Sequence, residues 1–151
     1  SLFIFRRDLR LEDNTALIEA LCQSSEVITC FIFDPRQVKD HTYLSRPGLR
    51  FMIESLVDLE NQLKGRGGRL CFFEGKPHEV VPSLLEKEAI SAVFVNQDYT
   101  PFSRMRDEQL AQVCRQKSVQ FFSSHDYTLN PPDLVKMEDG GVYTVYRLYA
   151  R

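Results

Sequence analysis

Strand-like and helix-like segments alternate along most of this chain, and that alternation limits its fold more than any other feature. The run VITCFIFD (27–34) is apolar almost throughout and rich in β-branched and aromatic residues, so both faces of this strand must be covered. Four other strand patterns are separated by helical ones, which is typical of a parallel sheet with crossover helices. We therefore predict an α/β fold: a Rossmann-like, doubly wound, five-stranded parallel sheet with helices on both faces.

The usual topology of such sheets predicts the strand order 3-2-1-4-5, with a ligand crevice at the carboxyl ends of strands one and four. The longest helical pattern covers 49–64, where apolar residues recur every three or four positions at Met52, Leu56, Leu59 and Leu63. These positions predict one buried helix face.

The first helix has a capping signal at its start. Asp13 or Asn14 can cap it, and Leu17, Ala20 and Leu21 are expected to share its buried face. Loop structure is expected around Pro35 and Pro47.

Length and composition add few limits. The chain has 151 residues, enough for one domain with a sizeable core, and a net charge of −2 that gives no general signal for nucleic acid. No stretch approaches the ~20 apolar residues of a membrane helix, and no secretory signal precedes the first strand, so we expect a cytoplasmic domain without membrane contact. The four cysteines form no Cys-x-x-Cys pair and are expected to be reduced core residues.

Several motifs that carry chemistry are missing from the sequence. It has no Gly-x-Gly-x-x-Gly fingerprint, no Gly-x-x-x-x-Gly-Lys phosphate loop and no Gly-x-Ser-x-Gly elbow. His41, His78 and His125 show no metal-ligand spacing, although His125 follows the fifth strand on the crevice side. Ser103 is expected to cap the last helix, whose early acids Asp107 and Glu108 suit the helix dipole. We predict no catalytic residue and no metal site here.

The segment after the first strand, FRRDLRLEDNTAL (5–17), resembles the N-terminal signature of the DNA photolyase/cryptochrome family. Further segments resemble that family in the same order: FIFDP (31–35), RFMIESLVDLENQL (50–63), EGKPHEVVPSL (74–84), VFVNQDYTPFSRMRD (93–107) and YTVY (143–146). One departure is Arg147-Leu148-Tyr149, where the family usually has Thr-Pro-Phe.

The resemblance implies a domain organisation and a function. Residues 1–130 are similar to the α/β domain that holds an antenna chromophore, and 131–151 to the start of the interdomain linker. The family's helical FAD-binding domain is not in this sequence, so we expect no FAD binding and no catalysis by this stretch alone. The implied parent is a deoxyribodipyrimidine photolyase that repairs pyrimidine dimers in blue light. The alternative is a cryptochrome-type photoreceptor.

The implied partners are the parent's own FAD-binding domain and, through the full-length parent, damaged DNA. The isolated domain is expected to be monomeric.

The resemblance also bears on the antenna. Folate-using relatives have an Asn-Glu pair where this chain has Phe102 and Ser103, and deazaflavin users have Asp-x-Glu where it has Asp98-Tyr99-Thr100. A deazaflavin or flavin is therefore favoured over a folate, and an empty crevice is the alternative.

The expected cofactor-binding residues follow strands one, two and four. They are Arg6, Arg7, Asp8, Phe33, Asp34, Asn96, Asp98 and Tyr99.

The loop after the first strand contains three arginines and three carboxylates: Arg6, Arg7, Arg10, Asp8, Glu12 and Asp13. Because guanidinium and carboxylate groups form bidentate pairs, these side chains are expected to pair with one another and stiffen the crevice rim. Contact with the antenna or with a partner domain is the alternative.

Overall fold

Five parallel strands form a single sheet in this computed structural model, which describes residues 1–39, 44–128, 130, 134, 136–137 and 139–141. The strands are β1 (Leu2–Phe5), β2 (Ile28–Phe33), β3 (Leu70–Glu74), β4 (Ala92–Asn96) and β5 (Gln120–Ser124). The helices are α1 (Thr15–Gln23), α2 (Pro35–Val38), α3 (Arg46–Gly65), α4 (Pro77–Lys87) and α5 (Pro101–Gln116). The order β3-β2-β1-β4-β5 confirms the predicted topology.

Two apolar clusters lie on the two faces of the sheet. Helices α1 and α3 cover one face, where Phe3, Phe94 and Leu59 are fully buried. Helices α4 and α5 cover the other, where Leu2 and Leu110 are fully buried. Residues next to each other along a strand therefore enter different clusters, as the period-two alternation of side chains requires.

The helical face predicted for α3 is confirmed, because Leu56, Leu59 and Leu63 are buried and Met52 packs against the same cluster. The face predicted for α1 was partly wrong. Leu21 is 60% exposed, and α1 buries Ala16, Leu17 and Ala20 instead. Ala16 and Ala20 are four positions apart and share the buried face, and Leu21 lies at its solvent edge.

Helix boundaries also differ from the expectation at three places. Thr100, not Ser103, caps α5, and its Oγ1 accepts a hydrogen bond from the Ser103 amide at 3.2 Å. Pro35 and Pro47 lie in the first turns of α2 and α3, where a missing N–H costs nothing. Asn14 caps α1 as predicted.

Most of 131–151 lies outside the described residues, and so do His41, YTVY and Arg147-Leu148-Tyr149. The domain boundary at residue 130 therefore stays a prediction. Within the described part of the chain, none of the helices has the length and apolar character needed to span a membrane.

Candidate functional site

A cleft of about 880 Å³ lies at the carboxyl ends of β1 and β2, close to where the strand order reverses. Open α/β sheets bind ligands at this place, and the volume is in the range of small-molecule sites. The cleft is centred further toward β2 than predicted. The first turns of α3 and α5 and the short helix α2 form its sides.

The lining of the cleft is mostly apolar. Ile4, Phe5 and Phe33 from the strands and Met52 from α3 contribute, together with Phe102 in the first turn of α5. Apolar and aromatic walls with a few polar groups are typical of sites that bind small molecules.

A cation–π contact joins two sides of the cleft. The Arg36 guanidinium of α2 lies 4.7 Å from the centre of the Phe102 ring of α5. The same guanidinium donates to both carboxylate oxygens of Asp34, at 2.9 Å from Nε and 2.5 Å from Nη2. Asp34 therefore positions a cation at the cleft side.

Five of the eight predicted site residues line this cleft: Arg6, Arg7, Phe33, Asp34 and Asp98. The other three do not. Asp8 and Asn96 are buried in the loop–sheet junction, and Tyr99 points toward His125. The prediction that these three contact a ligand has no support in the geometry.

Asp8 and Asn96 belong to a buried polar network with Asn14. The Asn96 amide donates to Asp8 Oδ2 at 2.5 Å and to Asn14 Oδ1 at 2.8 Å, and its Oδ1 accepts from the Ala16 backbone at 3.0 Å. Asp8 Oδ1 accepts from the backbone N–H of Arg6 at 2.8 Å. These bonds join β4, the loop after β1 and the start of α1, so the network is scaffold for the cleft.

The arginines of this loop pair with acids from other elements, and the predicted pairing within the loop was wrong. Arg6 Nη1 donates to Asp107 of α5 at 2.9 Å. Arg10 Nη2 donates to both oxygens of Asp126 after β5, at 2.9 and 2.8 Å. Asp107 is thus a structural counter-ion, in addition to its place near the helix dipole.

Asp98 is both a cleft residue and a turn residue. Its Oδ1 accepts from the Thr100 backbone at 3.3 Å and its Oδ2 from Ser103 Oγ at 2.9 Å, while Arg7 Nε lies 3.6 Å from Oδ2. Burial opposes ionisation, but these hydrogen bonds and the charges of Arg7 and Arg106 hold the pKa of Asp98 below its ordinary value. The group is an anion at neutral pH.

Three carboxylates near this edge predict an acid-sensitive fold. Burial opposes the ionisation of Asp34, Asp98 and Asp126, yet hydrogen bonds and arginines hold each pKa below its ordinary value. In the unfolded chain they titrate near ~3.9, so below about pH 4 the unfolded state binds more protons. We expect a melting temperature that is steady from about pH 7 to 5 and falls below about pH 4.

The measurement is thermal unfolding by circular dichroism across this range. Asp126→Asn should show a shallower fall, because one of the three linked groups is gone. A melting temperature that stays constant down to about pH 3 would contradict this origin of the stability.

Sequence reasoning missed three cleft residues, namely Arg36, Phe102 as an aromatic wall, and Arg106. Arg106 is only 5% exposed. A signal was present, since Ser103, Arg106, Leu110 and Cys114 are spaced three, four and four and form the buried face of α5.

Among the described residues, no cluster of three or more His, Cys, Asp or Glu side chains could hold a metal ion. Cys30 and Cys114 are buried core residues, as predicted, and burial raises the pKa of the Cys114 thiol to about 11. Cys22 is exposed, which the expectation of a core role did not anticipate.

The family profile described as DNA photolyase matches residues 1–151. The chain belongs to the DNA photolyase family. The deoxyribodipyrimidine photo-lyase of Synechococcus sp. is 32% identical, with 96% of this chain and 30% of the relative covered. Cryptochrome-1 of Drosophila melanogaster is 34% identical, with 91% and 26% covered. The solved photolyase of Sulfolobus tokodaii has a TM-score of 0.86 and 45% identity, with 90% and 31% covered.

The chain therefore spans about a third of the length of these photolyase-family relatives. The relatives include both photolyases and cryptochromes, and the solved photolyase has the same α/β architecture. This is the N-terminal, chromophore-type α/β domain of the family.

Proposed function

We propose that this chain is the antenna-chromophore domain of a deoxyribodipyrimidine photolyase and holds a flavin-type chromophore in the cleft. The observation that carries the proposal is the cleft itself, with its aromatic walls and a buried arginine at the switch point of a photolyase-family sheet. A bound flavin would supply absorption of blue light. The residues of this chain would hold its ring and exclude water.

The hydrogen-bond donors in the cleft fit a flavin or deazaflavin ring. Such rings have a carbonyl edge that accepts hydrogen bonds, and Arg106 Nη2 is a buried donor with no acceptor among the described residues. Phe102 and Ser103 stand where folate users have an Asn-Glu pair, and Ser103 Oγ already donates to Asp98. A flavin-type ring is therefore favoured over a folate.

The relative from Sulfolobus tokodaii supports a flavin further. It is described as containing two FAD molecules, with the implication of a novel light-harvesting cofactor. That description weighs against our expectation that this stretch alone binds no FAD. FAD itself thus becomes one of the flavins to test in the cleft.

Repair is favoured over photoreception because the solved photolyase is 45% identical to this chain. A cryptochrome-type photoreceptor remains the second candidate, since cryptochrome-1 of Drosophila melanogaster is 34% identical. The test is blue-light-dependent splitting of cyclobutane dimers by the full-length protein that contains this chain. Splitting supports the photolyase, and its absence in a folded, FAD-loaded protein supports the photoreceptor.

The chromophore proposal is tested by titrating the chain with FMN, FAD and a reduced folate, with fluorescence quenching as the readout. We expect saturable, one-to-one binding of a flavin and no saturable binding of the folate. Folate binding without flavin binding, or no binding of either, would overturn the proposal.

Asp98 gives a residue-level prediction. We expect Asp98→Ala to weaken flavin binding by about 1–3 kcal/mol, because a ligand donor loses its acceptor or the neighbouring Arg7 loses its ion-pair partner. The substitution also removes the hydrogen bonds to Thr100 and Ser103, so the unliganded domain should lose about 1 kcal/mol of stability. Titration calorimetry and urea unfolding measure the two effects.

The matched control for Asp98→Ala is Glu108→Ala, which removes an exposed carboxylate from α5 and should change neither quantity. If Asp98→Ala lowers stability but leaves flavin affinity unchanged, Asp98 is a turn residue only.

A further inference from the structure

Arg6 and Arg106 both line the cleft with a buried Nη2 that makes no hydrogen bond among the described residues, but Arg6 Nη2 lies 2.7 Å from Asp107 Oδ1. Arg106 is therefore the better candidate for a ligand contact. It is 5% exposed, it lines the cleft, and its Nη2 is buried without a hydrogen-bond partner among the described residues. Its Nε donates to Asp107 Oδ1 at 3.1 Å. A buried N–H group without an acceptor is rare in folded proteins and calls for a physical explanation.

The acids nearest to the cleft are already engaged. Asp34 accepts from Arg36, Asp98 accepts from Ser103 and Thr100, and Asp107 accepts from Arg6. None of these carboxylates accepts a hydrogen bond from Arg106 Nη2, which leaves this donor available to a molecule in the cleft.

The charges of the cleft also favour a ligand acceptor. Four arginines line it, Arg6, Arg7, Arg36 and Arg106, against the two carboxylates of Asp34 and Asp98. Burial and the neighbouring charge of Arg6 lower the pKa of Arg106. A ligand atom with partial negative charge would counter both effects.

We propose that Arg106 binds the carbonyl edge of the chromophore's planar ring, with Nη2 as the donor; this inference rests on the proposed function. Arg106 is 5% exposed, and the apolar strand residues Ile4 and Phe5 that line the same cleft are 2% and 1% exposed. A ring enters such a position more readily than a hydrated phosphate does. Arg106 would thereby select ligands with a carbonyl edge.

A phosphate group has a more suitable place elsewhere in the cleft. The side chains of Arg7 and Arg36 are 67% and 30% exposed, so a phosphate can meet them and stay partly hydrated. The ring-edge and phosphate assignments of Arg106 therefore predict different effects on ligands with and without phosphate.

The experiment compares lumiflavin, which is the ring alone, with riboflavin and FMN, each titrated by fluorescence quenching. We expect Arg106→Met to weaken the binding of all three ligands by the same factor, about 10- to 100-fold, because each ligand loses the same ring contact. Arg106→Lys keeps the charge but not the planar donor geometry and should show an intermediate loss. Arg104→Met, an exposed arginine on the same helix, is the matched control and should bind like the wild type.

Each other outcome overturns the inference. A loss of affinity confined to FMN would show that Arg106 contacts the phosphate. Equal affinities of the wild type and Arg106→Met would show that Arg106 does not contact the ligand. If the wild type binds none of the three ligands, the proposed function falls as well, so the two failures are distinguishable. Circular dichroism checks folding, and if Arg106→Met does not fold, the three ligands are compared on Arg106→Lys.

Discussion

Asn96→Leu is expected to lower the free energy of unfolding by about 3–4 kcal/mol, one of the largest effects of any single substitution in this domain. Asn96 is fully buried, and its amide makes hydrogen bonds to Asp8, Asn14 and the Ala16 backbone. Leucine has a similar volume but removes the buried donor to Asp8 Oδ2 and Asn14 Oδ1, and it leaves the Ala16 N–H without its acceptor. Urea unfolding followed by circular dichroism measures the loss.

Asn61→Leu is the matched control. Asn61 is exposed on α3, so the same chemical change there should alter stability by less than about 0.5 kcal/mol. If Asn96→Leu costs under about 1 kcal/mol, the Asp8–Asn14–Asn96 network does not hold the loop to the sheet as described.

Asp107→Asn should destabilise the fold by about 3 kcal/mol, because it removes the charge that balances two buried arginines. Asp107 Oδ2 accepts from Arg6 Nη1 at 2.9 Å and Oδ1 from Arg106 Nε at 3.1 Å, and the Arg6 and Asp107 side chains are 7% and 13% exposed. Without the carboxylate, Arg6 and Arg106 repel each other in a poorly hydrated place. Urea unfolding again gives the free energy.

The double variant Arg6→Met/Asp107→Leu tests the cause. Removing Arg6 as well should restore part of the loss, because it ends the repulsion between Arg6 and Arg106, while Arg106 Nε still lacks the acceptor that Asp107 provided. Glu108→Gln, the same kind of change at an exposed position, should be neutral. A double variant no more stable than Asp107→Asn would mean that repulsion between Arg6 and Arg106 does not cause the loss.

The site could be predicted in part. The approximate place of the cleft follows from the strand order, and Phe33, Asp34 and Asp98 were expected there because they follow strands two and four. Asn96 and Asp8 were assigned to the ligand because polar residues at strand ends often bind one. Their burial in a complete hydrogen-bond network shows that the same position can serve the scaffold.

The sequence by itself determined the fold. The apolar run of β2, the helical period of α3 and the Asn14 cap are local patterns, and five repeats of strand and helix leave few topologies open. Only the tertiary structure decided which charges meet. Arg6 pairs with Asp107 and Arg10 with Asp126, partners 101 and 116 positions away, because the sheet brings the ends of distant strands and helices to one edge. The buried, unpartnered state of Arg106 Nη2 likewise depends on every element around the cleft, so no local pattern could show it.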